Sequence, residues 1–315
     1  MEKIRVGVIR GGEHDYEDSL QKGGKLLSVL SDNLYDKWKP LDIFIDKKGV
    51  WHLYGIPVLP SELKDKIDIF WNTSHPAFSS VLESSGVSSP IIGHSSFSHA
   101  VSENRRMFEQ HLKTNSINVQ KSFIIPAYKK ELDGPIEECS LNRAKETHLK
   151  FAPPWIVKVF PSGVMSGHRV AKNFNELINL IYEGLQTGES LLVQEFMTGK
   201  NIQVHSVKGF RGQDIYMFPN ASLHKDEKEK IVSLVKDLHK HLDTDHYLHS
   251  EFVVTPRKRV YISGFSVFPI LEEESSFHKA CVSVGAKMHD VLKHIMEHKL
   301  EKHHDLERRF QQEVF

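Results

Sequence analysis

Residues 4–9 are mostly apolar and β-branched and end in Arg10-Gly11-Gly12, after which apolar positions recur at Leu20, Leu26, Leu27 and Leu30. The spacing predicts a strand, a glycine turn and a helix over 19–30. A second strand is expected over 41–45, with Asp46-Lys47-Lys48-Gly49 turning the chain into 50–53. A strand over 67–71, a helix over 77–83, a strand over 90–92 and a helix over 98–113 continue the alternation. Strands separated by helices cannot pair as hairpins and must cross over, so this opening stretch demands a mostly parallel sheet.

From about residue 119 the rhythm changes. A strand over 121–125, a charged helix over 135–149, a strand over 155–159, a glycine-punctuated loop and a helix over 173–185 are followed by strands over 190–195, 201–208 and 213–218. These three read as adjacent antiparallel strands, with Gly199 and Gly209 at their turns. Ile231, Leu234, Val235, Leu238 and Leu242 mark an amphipathic helix over 225–242. A hairpin over 246–255 and 259–265 turns at Pro256-Arg257-Lys258, and a helix over 277–296 precedes a charged tail read as a fraying helix or solvated end. No repeat with a period of about 20 to 50 residues is visible. The division expected is an α/β unit over 1–95, a small α+β unit over 96–185, an antiparallel unit over 186–300 and a charged tail over 301–315.

Composition narrows the function. The chain has 315 residues, and its 41 Lys and Arg are balanced by 41 Asp and Glu, so no overall positive field draws it to a phosphate backbone, and nucleic acid is not expected as a partner. No stretch nears the ~18 apolar residues of a membrane helix, and the N-terminus lacks the pattern of a secretory signal, so no membrane partner is expected. Cys139 and Cys281 are the only two cysteines and lack CxxC spacing, which fits a reducing cytoplasm. The 20 histidines scatter among acids and lysines without HExxH spacing, as solvated surface residues would.

The opening Val6-Gly7-Val8-Ile9-Arg10-Gly11-Gly12, followed by Asp15-Tyr16-Glu17-Asp18-Ser19-Leu20, resembles the start of D-alanine:D-alanine ligases, in which a strand ends in Gly-Gly and an acidic Ser-Leu run opens the first helix. Phe70-Trp71-Asn72-Thr73-Ser74-His75, residues 86–93 and Val101-Ser102-Glu103-Asn104 then follow the family's order. The resemblance spans about residues 1–296. It implies an α/β and α+β architecture: the ATP-grasp fold, preceded by an N-terminal parallel-sheet domain. It also implies ATP and Mg2+ as cofactors, a cytoplasmic role in peptidoglycan biosynthesis, and a small amino acid or dipeptide-like substrate, with a homodimer as the oligomer to test for.

In Val157-Lys158-Val159-Phe160-Pro161-Ser162-Gly163-Val164-Met165-Ser166-Gly167, a strand lysine precedes a glycine loop. A lysine and backbone N–H groups freed by glycine can wrap the oxygens of a triphosphate. The resemblance assigns Lys158, Gly163 and Gly167 to the ATP phosphates, although Val164 and Met165 replace two loop serines. Leu191-Leu192-Val193-Gln194-Glu195-Phe196-Met197-Thr198-Gly199-Lys200-Asn201 resembles the family's hinge, Leu-Ile-Glu-Lys-Trp-Leu-Ser-Gly-x-Glu, whose backbone offers N–H and C=O groups to adenine. Gln194, Glu195, Phe196 and Met197 would then hold the base, and Asn201 would stand for the glutamate on the ribose hydroxyls.

On the reaction side the pattern thins. Glu251 stands at the family's metal aspartate, but Ser263 and Phe265 stand at its Glu-x-Asn pair, and a phenyl ring cannot ligate magnesium. Glu272, Glu273 and Glu274 are the nearby substitutes, but an acidic, solvated helix start explains them better, since carboxylates favour that position anyway. His249 stands where the family has the arginine that stabilises the tetrahedral intermediate. His75 would sit by the substrate carboxylate and Asp15 by its amino group. The loop that closes over the γ-phosphate is absent, because Phe218-Pro219-Asn220-Ala221 runs almost at once into the helix at Lys225. Two functions follow: an ATP-dependent carboxylate-amine ligase, or a catalytically degenerate nucleotide- or partner-binding pseudoenzyme. An oxidoreductase would share the first strand and Gly11-Gly12 but needs GxGxxG spacing, which is missing.

Overall fold

The computed structural model describes residues 3–13, 16–95, 97–98, 101, 105–115, 117–160, 169–220 and 223–313. The chain forms two compact units. One comprises Met1–His99, Gln203–Glu251 and Gly264–Phe315; the other comprises Ala100–Ile202 and Phe252–Ser263.

The first unit opens with strands β1 (Ile4–Gly11), β2 (Trp38–Ile45), β3 (Trp51–Leu53), β4 (Ile56–Pro57), β5 (Ile69–Asn72) and β6 (Ile91–Ile92), in the order β4-β3-β2-β1-β5-β6. Pairs β1/β2, β1/β5 and β5/β6 are parallel, while β3 and β4 return antiparallel through the turn at Asp46. Both faces of this sheet are apolar. Val6 and Val8 pack with Leu26 and Leu30 of the helix Tyr16–Asn33, whereas Ile9, Ile43 and Phe70 pack with Leu63, Leu82 and Val87 on the other side. A parallel sheet covered on both faces requires such continuous apolar strands.

In the second unit, β7 (Ser122–Ile125), β8 (Trp155–Phe160), β9 (Arg169–Ala171) and β10 (Ser190–Glu195) pair antiparallel in the order β7-β10-β8-β9. The helices Ile136–Lys150 and Phe174–Leu185 share an apolar cluster with Ile125, Trp155, Val157, Leu191 and Val193 and so cover one face. Gly184 is what lets the second helix approach, because a Cβ there would lie 2.7 Å from both Leu191 methyl carbons.

A third sheet has β11 (Lys200–Lys208), β12 (Ile215–Met217), β13 (Tyr247–Val254) and β14 (Val260–Ser266) in the order β12-β11-β13-β14. This corrects one expectation: β10 is not a neighbour of β11 but sits between β7 and β8 in the other sheet. At the turn between them, a Cβ on Gly199 would lie 2.6 Å from the Val254 carbonyl, an approach only glycine permits. The helix expected over 277–296 is two helices, Ser276–Ser283 and Met288–Glu313, broken where Gly285 takes φ +67°. The charged tail continues the second of these. Among the described residues, no helix is long and apolar enough to cross a membrane.

Candidate functional site

Pairing across β10 decides which residues meet in the second unit. Leu192 lies opposite Lys158 and Ile124, and Gln194 lies opposite Ile156 and Ser122. Directly opposed residues of an antiparallel pair share a face. Since Leu191, Val193, Val157 and Ile125 point into the helix-covered core, Lys158, Gln194, Leu192, Ile156 and Ile124 occupy the face turned away from the helices. Lys158 and Gln194 therefore lie on a single face, two positions apart along the paired strands.

The end of β10 is tightly held. The Glu195 N–H donates to the Lys121 carbonyl at 3.0 Å, and the Phe196 N–H donates to the Pro154 carbonyl at 3.0 Å. The Glu195 carbonyl accepts from Gln120 Nε2 at 2.5 Å. Gln194 is buried, and its Nε2 has no hydrogen-bond partner among the described residues. Phe196 is exposed, Met197 is half-buried and Asn201 is exposed on β11. Gly163, Gly167 and Asp15 lie outside the described residues.

In the first unit, His75 follows β5 at the edge of a polar turn. Asn72 Nδ2 donates to the His75 carbonyl and to Ser79 Oγ, and the Ser74 N–H donates to Asn72 Oδ1. The Ala77 N–H donates to His75 Nδ1 at 3.2 Å, which leaves the neutral ring its proton on Nε2. Such an N–H suits a carboxylate. Ser74 Oγ donates to the Gly11 carbonyl, and the Gly11 N–H donates to Ser19 Oγ, so the glycine turn, the first helix and the His75 turn are joined.

Tyr247, His249 and Glu251 alternate along one face of β13. His249 stacks on His205 of β11, with ring centroids 4.6 Å apart, and His205 Nδ1 shares a 2.7 Å hydrogen bond with the Tyr247 hydroxyl. Phe277 closes over His205 and Tyr247. Burial lowers the affinity of His249 for a proton even though Glu251 opposes the shift, and its Nε2 is buried without a partner among the described residues. A neutral stacked imidazole does not supply the positive charge of an arginine at this position.

The donor set does not fit magnesium. Glu251 brings one carboxylate, whose Oε2 would lie 3.3 Å from a Cβ on Gly264, so it packs against the β14 backbone. The neighbouring positions on β14 are Ser263 and Phe265. Glu274 is drawn instead to Lys279, at 3.3 Å. Among the described residues no three His, Cys, Asp or Glu side chains gather so as to hold a metal ion. A hard divalent ion bridging phosphates needs more oxygen ligands than this.

Sequence reasoning missed Gln120 and His205. Gln120 contacts a carbonyl 75 positions away, and His205 meets His249 only through strand pairing, so no local pattern announces either.

The arrangement of a covered parallel sheet and two four-stranded sheets is the ATP-grasp fold of D-alanine–D-alanine ligases. A D-alanyl-alanine synthetase A from Vibrio cholerae superposes with a TM-score of 0.71 at 17% identity, covering 95% of this chain and 99% of that one. A D-Ala:D-Ser ligase from Enterococcus faecalis gives 0.69 at 15%, covering 95% and 100%. A Bacillus anthracis D-alanine–D-alanine ligase complexed with ATP gives 0.65 at 17%, covering 97% and 99%. No protein-family model matches the sequence, and no curated protein matches it either.

Proposed function

We propose that the protein is a nucleotide-binding relative of the ATP-dependent carboxylate-amine ligases, with ATP held on the Lys158 and Gln194 face of the β7–β10 sheet. One observation carries the reading: strand pairing puts Lys158 and Gln194 on the same face, two positions apart along the paired strands, with Ile156, Leu192 and Ile124 beside them. A cation at one end of an apolar strip and a polar hinge at the other match a phosphate chain and a planar base. The ATP complex of the Bacillus anthracis neighbour supports the same choice of ligand. Lys158 would neutralise phosphate charge, Gly163 and Gly167 would supply loop N–H groups, Gln194 to Met197 would hold the base and Asn201 the ribose.

In a ligase of this kind the γ-phosphoryl group passes to a substrate carboxylate, giving ADP and an acyl phosphate. An amine then attacks the acyl carbon and expels phosphate. Here the Nε2–H of His75 would face the substrate carboxylate and Asp15 its amine, with an amino acid or dipeptide-like molecule as substrate. The substitutions at His249, Ser263 and Phe265 favour a second reading, binding without ligation, because charge on the transferring group would go unmet.

Calorimetric titration with ATP, with and without magnesium, tests the proposal. The expected dissociation constant is on the order of 100 μM or weaker, changing little on metal removal, and Lys158→Ala should weaken binding about tenfold. Submicromolar binding that Lys158→Ala leaves unchanged would show the phosphate assignment to be wrong.

A further inference from the structure

Gln194 is 2% exposed, and its Nε2 is buried with no hydrogen-bond partner among the described residues. A buried amide left unpaired is costly, and a ligand atom that pairs with it recovers that cost. The side chain lies on the Lys158 face, opposite Ile156 and beside Leu192. Next along the strand, the Glu195 carbonyl is already engaged by Gln120 Nε2 at 2.5 Å and keeps a second lone pair.

In the ligase pattern this hinge position is a glutamate. An ionised carboxylate only accepts hydrogen bonds, so it rewards an exocyclic amine and repels a carbonyl oxygen. An amide offers a donor or an acceptor, depending on a half-turn about its last torsion. No hydrogen bond among the described residues holds Nε2, so neither orientation is imposed. Resting on the nucleotide reading above, we propose that Gln194 makes the base site tolerant of both 6-amino and 6-oxo purines. Its Oε1 accepts from the 6-amino group of an adenine nucleotide, and its Nε2 donates to O6 of a guanine or hypoxanthine nucleotide. Strands β7 and β8 pair on either side of β10, so the backbone beside Gln194 is held and the side-chain amide is the part free to reorient.

Competition calorimetry with ADP, GDP and IDP on the full chain tests this. The wild-type dissociation constants are expected to agree within about threefold, and Gln194→Glu should favour ADP over GDP by at least about tenfold, the value of one hydrogen bond to a charged group. If Gln194→Glu does not fold, as judged by its thermal melt, Gln194→Met serves instead and should weaken ADP and GDP equally, by roughly fivefold. A wild-type preference for ADP above about tenfold, a ratio unmoved in Gln194→Glu, or unchanged affinities in Gln194→Met each overturn the proposal while leaving the nucleotide site standing. Failure of all three nucleotides to bind at millimolar concentration overturns both.

Discussion

Burial and the neighbouring His249 imidazole push His205 down to about 3, and burial pulls His246 down to about 4 despite the Asp245 carboxylate beside it. His246 donates from Nε2 to the Gly93 carbonyl at 2.9 Å, and its buried Nδ1 has no partner among the described residues. Both rings therefore remain neutral in the folded protein at pH values where an unfolded chain has already taken up the protons. The stability this represents is complete above the ordinary histidine value of 6.5. It is lost as the pH falls from there toward about 4 for His246 and about 3 for His205. Each ring should contribute a slope of about 1.4 kcal/mol per pH unit inside that window. Urea midpoints measured between pH 7 and pH 4.5 should fall steeply, and His205→Leu should make the fall shallower. A flat profile in the wild type would mean that these imidazoles reach water.

Two elements of the second unit have contributions that can be isolated. Gly184 brings the helix Phe174–Leu185 against Leu191, which is 1% exposed and has nowhere to retreat. Gly184→Ala should cost about 1–3 kcal/mol by overpacking, although alanine is the better helix former on intrinsic grounds. At the start of that helix, Asn173 Oδ1 accepts from the Glu176 N–H at 3.0 Å, while Glu176 Oε2 accepts from the Lys172 N–H at 2.8 Å. Asn173→Ala removes the cap and should cost about 1 kcal/mol. Chemical denaturation of both variants checks these values, and a stabilised Gly184→Ala would mean that the helix does not press on β10. The helix itself was legible beforehand: Leu177, Ile181 and Leu185 recur at helical spacing and are buried as that spacing requires. Its glycine was not, since Gly184 and Leu191 become neighbours only when β10 enters the sheet.

On the nucleotide reading, the polar groups that would bind ATP persist in part, since Lys158 and Gln194 are present while Val164 and Met165 replace two loop serines, whereas those that would handle a transferring phosphoryl group are mostly altered. His249 is stacked and neutral, Glu251 packs on the backbone at Gly264, and Phe265 offers no oxygen. We expect no D-alanyl-D-alanine synthesis above background with saturating ATP, magnesium and D-alanine, measured as phosphate release. Phosphoryl transfer needs the developing charge neutralised, and an acyl phosphate formed without a closing loop is open to water. Turnover with D-alanine that Glu251→Gln abolishes would refute this. Turnover only with another amino acid would keep the ligase chemistry and change its substrate.

Periodicity in the chain was enough to locate most strands and helices, because each is dictated by neighbours a few positions away. The family resemblance carried by the Gly11-Gly12 turn, the Lys158 strand and residues 191–201 implied the ATP-grasp fold, and the fold bears that out. What folding alone decided is partnership. The sequence reads 190–195, 201–208 and 213–218 as one sheet, yet β10 pairs with β7 and β8, and only that insertion puts Gln194 on the same face as Lys158. The stacking of His205 on His249 and the capping of Glu195 by Gln120 likewise join residues 44 and 75 positions apart. Contacts of that span depend on which strands close together, and local propensity carries no information about that choice.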